Sequence, residues 1–266
     1  MQVFCQYEAV LELSVIERKK IPFMTSVKYT LSNGPFLVIT AMIVFGQLAA
    51  NIFSQMGIYA NIYVLSNGDT KAGASLTGYV AIVFFFVMMA SIHLGSALSQ
   101  RYSKHAVVLG AAVLTVCGGL LKFVLYNPDY PYLILLAPLF SAPGGAVGSY
   151  MITSMMADVA TYDEWKNGTR REGMFTAVGG WLYKVSISLA GILGGFVLVL
   201  IGFDEQLGGA QSEFTKNWLV IGMVIGSTVP GLITIIAMAF YPLTRDKMDR
   251  YVSEIRDRET GQAEGP

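Results

Sequence analysis

The sequence predicts an all-α membrane protein built from six transmembrane helices. Apolar runs of about 20 residues, the length a bilayer crossing needs, recur along nearly the whole chain. Hydrophobic residues make up 54% and charged residues 14%, against roughly 25% charged in a soluble domain, so there is too little charge to cover a water-facing surface. The mean hydropathy of +0.54 agrees. The formal net charge is zero, which says nothing about partners; the placement of charges carries the information. No nucleic-acid partner is expected.

Residues 1–16 form an atypical N-terminal segment, with Glu8 and Glu12 where a secretory signal needs a basic and then an apolar region. The first true span is therefore expected to direct insertion. Residues 17–34 read as a basic interfacial or linker segment, opening with Glu17-Arg18-Lys19-Lys20 and continuing through Met24, Val27 and Leu31 at helical spacing. A six-helix transmembrane domain is expected over residues 35–243, with spans near 36–64, 76–98, 106–126, 132–157, 174–201 and 218–241. Asn67-Gly68-Asp69 and Asn127-Pro128-Asp129-Tyr130-Pro131 supply turns, the second with aromatics suited to an interface.

In the third span Lys122 lies near the end, from where it is expected to snorkel to the surface, and Cys117 is expected in the helix core. With Cys5 it forms neither a CxxC nor a metal spacing. His93, near the end of the second span, is expected to be packed or interfacial. Pro143-Gly144-Gly145 and Gly148 are expected to kink the fourth span and leave backbone groups in need of partners. Gly222 and Gly226 place a small-xxx-small packing face on the sixth. Residues 244–266 read as a charged, mobile cytoplasmic tail.

Lysine and arginine set the orientation. With the N-terminus inside, 14 of the 18 basic residues are cytoplasmic; Lys71 and Lys216 lie outside, and Lys122 and Lys184 fall within spans. Positive charge favours the inside, so a multi-pass protein of the cytoplasmic (inner) membrane with both termini cytoplasmic is expected, the lipid bilayer being its first partner.

Lys184 is the sharpest chemical signal. It lies about ten residues into the fifth span, where a charged group is costly and usually functional. Thr176, Gly180, Lys184 and Ser188 share its face, with Gly180 leaving room for a close approach. Gln47, Asn51 and Gln55 are spaced four apart and form one polar stripe, either helix-to-helix glue or the lining of a wet cavity. Ser149 and Thr153 sit one turn apart beyond the glycine-rich stretch. No acidic residue falls in mid-membrane, Asp158 coming closest. The absence of a metal-ligand set, a nucleophile–base pair or a phosphate-binding glycine loop speaks against an enzyme. Asp158, Asp163, Glu164, Lys166, Arg170, Arg171 and Glu172 gather at one membrane face, either as a solvated loop or as ion pairs that latch helix ends and release.

The run Asp158-Val-Ala-Thr-Tyr162-Asp-Glu164-Trp-Lys166, then Thr169-Arg170-Arg171-Glu172-Gly173, then Lys184 twelve residues after Glu172, resembles the loop between helices ten and eleven of the glycoside-pentoside-hexuronide:cation symporters. That family includes the melibiose carriers and belongs to the major facilitator superfamily. Arg101-Tyr-Ser-Lys104 resembles the superfamily's basic loop between helices eight and nine. The resemblance implies that the six spans are helices seven to twelve, the C-terminal half of a twelve-helix bundle. It also implies sugar or glycoside symport by alternating access, coupled to Na+ or H+, with no cofactor and with the cation ligands mostly in the missing N-terminal half.

On this resemblance Lys184 contacts the sugar or coupling cation; the polar stripes add Gln47, Asn51, Gln55, Ser149, Thr153 and Thr176 as expected substrate-binding side chains. Asp158, Tyr162, Glu164, Arg170, Glu172 and Arg101 form a cytoplasmic gate. Ser149 and Gly180 stand where melibiose carriers have Trp and Thr, Thr161 where the family has Asp, and Ser103 where it has Gly. The half is expected to work with its missing N-terminal half, a separately encoded partner or a second copy of itself; a non-transporting remnant or membrane scaffold is the alternative.

Overall fold

The computed structural model describes residues 32–169 and 171–263, which are helical almost throughout and contain no strand. The N-terminal segment, the basic segment to Leu31, and Arg170 lie outside the described residues. Helix α1 (Gly34–Ser54) opens where Asn33 Oδ1 accepts the Phe36 amide at 3.1 Å. It continues through α2 (Met56–Ala60) into a π turn, Asn61–Leu65. Asp69 caps α3 (Thr70–Arg101) and Ser103 caps α4 (Lys104–Leu125), each accepting amides that a helix start leaves without partners.

A 3-10 turn, Pro131–Leu136, leads into α5 (Ala137–Asn167), which ends at Gly168 with φ of 69°, a left-handed position that suits glycine. Then come α6 (Glu172–Leu200), α7 (Glu213–Phe240) and α8 (Arg245–Ala263). Among the described residues, six helical stretches are long and apolar enough to cross a membrane.

The spanning helices pack in the order α6–α1–α7–α4–α5–α3. Exchanging α1, α3 and α4 for α5, α6 and α7 turns this order into its own reverse. Because each set holds three spans, the second set starts at the opposite end of the bundle, which is the inverted repeat built into many transporters. Helices α4 and α7 form the back. Helices α1 and α5 face each other across a cleft in front.

One apolar cluster (Phe36, Ile39, Met151, Met155, Phe175, Met238) fills the end where α1 begins. Another (Met56, Ile62, Tyr63, Leu125, Ile134, Leu219) fills the opposite end. The first end also carries Arg101, Lys104, Lys166, Arg171 and α8, and is called the basic end.

Several expectations change. The second span is longer than 76–98, because the Asp69 cap starts the helix at Thr70. Helix α5 continues as one helix through Pro143. Cys117 is exposed, not in the helix core. Lys122 does not snorkel: it is 7% exposed and its ammonium donates to Ser227 Oγ and the Met223 carbonyl.

The tail is not loose over Arg245–Ala263, because α8 docks on α5. The Tyr251 ring lies 4.4 Å from that of Trp165, Trp165 Nε1 donates to Glu254 at 2.6 Å, and Arg258 donates to the Trp165 carbonyl at 2.8 Å. These contacts, the Trp165 bond foremost and then Arg250, hold the Glu254 carboxyl below its ordinary range.

The Gly222–Gly226 face is where α7 meets α1. A methyl on Gly226 would fall 2.6 Å from Phe53 Cβ, whereas one on Gly78 of α3 would meet nothing within 4 Å. Forcing extra carbon into a packed contact costs about 1–3 kcal/mol. Gly226→Ala is therefore expected to lower the melting midpoint of the detergent-purified protein, with Gly78→Ala unchanged or higher; equal midpoints would mean that this contact does not hold the bundle.

Candidate functional site

Between the two apolar ends, α1, α4, α5 and α7 enclose a cavity of about 300 Å³ that opens at the α1–α5 cleft. Small residues make the room. Gly145 and Gly148 of α5 both line it, and a Cβ on either would touch nothing within 4 Å. Its polar wall is Gln47, Thr115, Ser141, Ser149, Ser227 and Thr234, and no lining residue is charged.

The hydrogen bonds fix what this wall offers. Each hydroxyl donates its one proton to a carbonyl of its own helix: Thr115 to Ala111, Ser141 to Ala137, Ser149 to Ala146, Ser227 to Met223 and Thr234 to Pro230, all between 2.9 and 3.2 Å. Their oxygens retain lone pairs and act as acceptors. Gln47 Oε1 accepts from Asn51 Nδ2 at 3.0 Å, which leaves the Gln47 amide protons to donate. A guest with many hydroxyl donors and a few acceptors matches this wall.

The structure brings together only part of the expected set. Gln47 and Ser149 share the cavity, with Asn51 holding Gln47. Gln55 lines a separate space nearer the opposite end, so the stripe divides between two cavities. Thr153 and Thr176 are exposed and bonded back to Ser149 and Glu172 carbonyls of their own helices. Lys184 is exposed near the middle of α6. Phe175, Gly179, Ser186 and Ala190 form the buried face of α6, and helical spacing turns Lys184 away from it. Lys184 makes no hydrogen bond or ion pair with any described residue, and space beside Gly180 is open.

At the basic end Asp158 pairs with Lys104, Nζ to Oδ2 at 2.9 Å, and not with Arg101, which is exposed at the end of α3. Lys104 opens α4, directly beside α5, and so reaches Asp158 first. The Tyr241 hydroxyl is buried with no hydrogen-bond partner among the described residues. Burial, and secondarily Asp158, pushes its phenol above the ordinary tyrosine range. Tyr162 stacks on Trp165 and packs tilted against Tyr251, so it anchors α8.

Of the charges gathered at this face, Asp163 and Arg171 form a buried pair that the sequence did not single out. Asp163 is 1% and Arg171 9% exposed. Arg171 Nε donates to Asp163 Oδ2 at 2.7 Å and Nη2 to Oδ1, a two-pronged clasp, and Asn167 adds a bond to Oδ1 at 2.8 Å. It ties the end of α5 to the start of α6. Eight residues apart across a turn, the two match no helical spacing, so the sequence showed only two more charges in a charged loop.

Residues 12–245 match the family described as MFS/sugar transport protein, and the chain belongs to that family. Its six long apolar helices make it a multi-pass membrane protein. It is 24% identical to the uncharacterized symporter YnaJ of Bacillus subtilis (strain 168), over 97% of this chain and 54% of that protein. Identity is 27% to the uncharacterized symporter YjmB of the same organism, over 72% and 40%. It is 24% to the isoprimeverose transporter of Lactiplantibacillus pentosus, over 87% and 47%. The chain thus spans about half the length of the curated relatives it matches.

Removing one member of a buried ion pair leaves an uncompensated charge and costs about 3–5 kcal/mol. Asp163→Asn is expected to destabilise the α5–α6 turn by that order, read as a lowered melting midpoint and as faster protease cleavage between Asn167 and Glu172. Unchanged cleavage would show that the clasp does not hold the turn.

Proposed function

We propose that this member of the MFS/sugar transport family is the C-terminal half of a cation-coupled sugar or glycoside symporter working by alternating access. The observation that carries this reading is the uncharged cavity between α1, α4, α5 and α7, whose hydroxyl oxygens and Gln47 amide complement a neutral polyol. Cavities of this kind near the bilayer midplane at a repeat interface are where such transporters take substrate.

Lys184 supports the two-half architecture. An ammonium in mid-membrane is expensive without a partner, and none comes from the described residues. It meets substrate or the coupling cation across the cleft, where the other half supplies acids. That half is a covalently attached segment, a separate chain or a second copy of this one. Asp158–Lys104 and the neighbouring Glu164 and Glu172 belong to a gate at the basic end, which lies in the cytoplasm of an inner-membrane protein with both termini inside. Exposed ion pairs are worth about 0–1 kcal/mol, weak enough to break on each cycle.

In vesicles holding the assembled transporter, an inward Na+ or H+ gradient is expected to drive accumulation of a labelled glycoside. Lys184→Ala should cut the rate at least tenfold, since a hydrogen bond to a charged group contributes about 1.5–3 kcal/mol. Gradient-driven uptake untouched by Lys184→Ala would remove Lys184 from the mechanism. No uptake with any partner half would favour a scaffold.

A further inference from the structure

A second cavity, of about 270 Å³, lies toward the opposite end of the same α1–α5 cleft. It reaches from Gln55 and Asn61 across to Thr77 of α3 and Lys122 of α4, and it meets the first cavity at Ser141 of α5, which lines both. Ser227 lines the first cavity and accepts a hydrogen bond from Lys122, which lines the second. The two spaces are therefore stacked in series, with the Lys122–Ser227 contact at the partition.

The polar groups of this second space are unfinished in opposite senses. Thr77 donates its only proton to the Gly73 carbonyl at 2.9 Å. It can therefore only accept from Asn61, which fixes the Asn61 amide with Nδ2 toward Thr77 at 3.0 Å. Asn61 Oδ1 is left as a buried acceptor with no donor among the described residues, on a side chain only 4% exposed. An ammonium has three protons, and Lys122 spends two, on Ser227 and Met223. The third remains available. No carboxylate lines the cavity.

An anion would satisfy Lys122 but set its charge against the Asn61 lone pairs. A metal cation would suit Asn61 but face the ammonium. A hydroxyl group accepts from the one and donates to the other. We propose that Asn61 and Lys122 form a second polyol-binding subsite, in series with the first cavity, for one hydroxyl or a neighbouring pair of hydroxyls of a neutral sugar. The inference rests on the reading of the protein as a sugar carrier. It adds a second stop on the substrate's path, at the end away from the gate, and gives Lys122 a role distinct from that of Lys184.

The test uses the assembled transporter in proteoliposomes, with Cys5 and Cys117 of this chain replaced by Ser and one reporter thiol in each cavity. Val80→Cys reports on the second cavity and Gly145→Cys on the first. Alkylation rates are measured with D-xylose or glycerol as hydroxylated probes, and with sodium acetate or sodium chloride as ionic ones. Titrated to about ten times its dissociation constant, a bound probe slows labelling by roughly tenfold.

D-xylose or glycerol is expected to protect both thiols and the salts neither. Protection at position 80 should disappear with Asn61→Leu and with Lys122→Met, while protection at 145 remains. Should Lys122→Met fail to fold, Asn61→Leu and the probe comparison still decide. Protection at 145 alone would overturn the second subsite and leave the sugar reading standing. Protection at neither would overturn both. Protection of position 80 by acetate or chloride would make it an anion site, and protection that survives Asn61→Leu would remove that residue's role.

Discussion

Everything in this bundle follows from the cost of an unpartnered polar group in hydrocarbon. Water is absent from the bilayer core, so each backbone and side-chain polar atom must find its partner inside the protein. The hydroxyls of Thr115, Ser141, Ser149, Ser227 and Thr234 meet that demand locally, each closing onto a carbonyl one turn back. Having spent their protons, they converge as acceptors on a space kept open by glycines. The same constraint explains why Lys122 is tied to Ser227; at the basic end, burial inside the protein itself makes Asp163 and Arg171 face each other in a clasp. The polar interior was not added to an apolar bundle; it is what remains once the helices have satisfied their own groups.

The packing order supplies the rest. Two triplets of helices, related by inversion, put α1 and α5 face to face and close the back with α4 and α7. Apolar clusters seal both ends, and glycines bring α1 and α7 into contact at Gly222 and Gly226. The cavities are left in between, along the α1–α5 cleft. Helix α8 covers the basic end through Trp165, Tyr251 and Glu254, joining the segment after the last span to the helix that carries Asp158.

The sequence told most where hydrophobicity acts over long windows. All six spans and the gathering of basic residues at one end were legible, because span length and charge placement need no partner to be read. The Gln47–Asn51–Gln55 stripe was legible as a shared face, yet the change from α1 to α2 beside Gln55 lets it serve two cavities. Lys122 was misread because distance from a helix end suggested snorkelling, whereas Gly119 draws α7 in beside Ser227 and Thr228 and buries the ammonium. Asp163–Arg171 and Lys104–Asp158 were out of reach for another reason: both join separate helices, so no periodicity within one helix points to them. The separation of Lys184 from Gln47 and Ser149 likewise depends on how α6 rotates against α1.

The central claim is that the Gly145–Gly148 surface of α5 faces the substrate path. It is tested most directly by scanning single cysteines through residues 141–153 of the assembled transporter, in a background without Cys5 and Cys117, against a membrane-impermeant thiol reagent. The account predicts reactivity recurring at 141, 144, 145, 148, 149, 151 and 152, the helical face that lines the cavity, and suppression of that reactivity by a transported sugar. Reactivity spread evenly around the helix, or confined to residues outside that face, would contradict it.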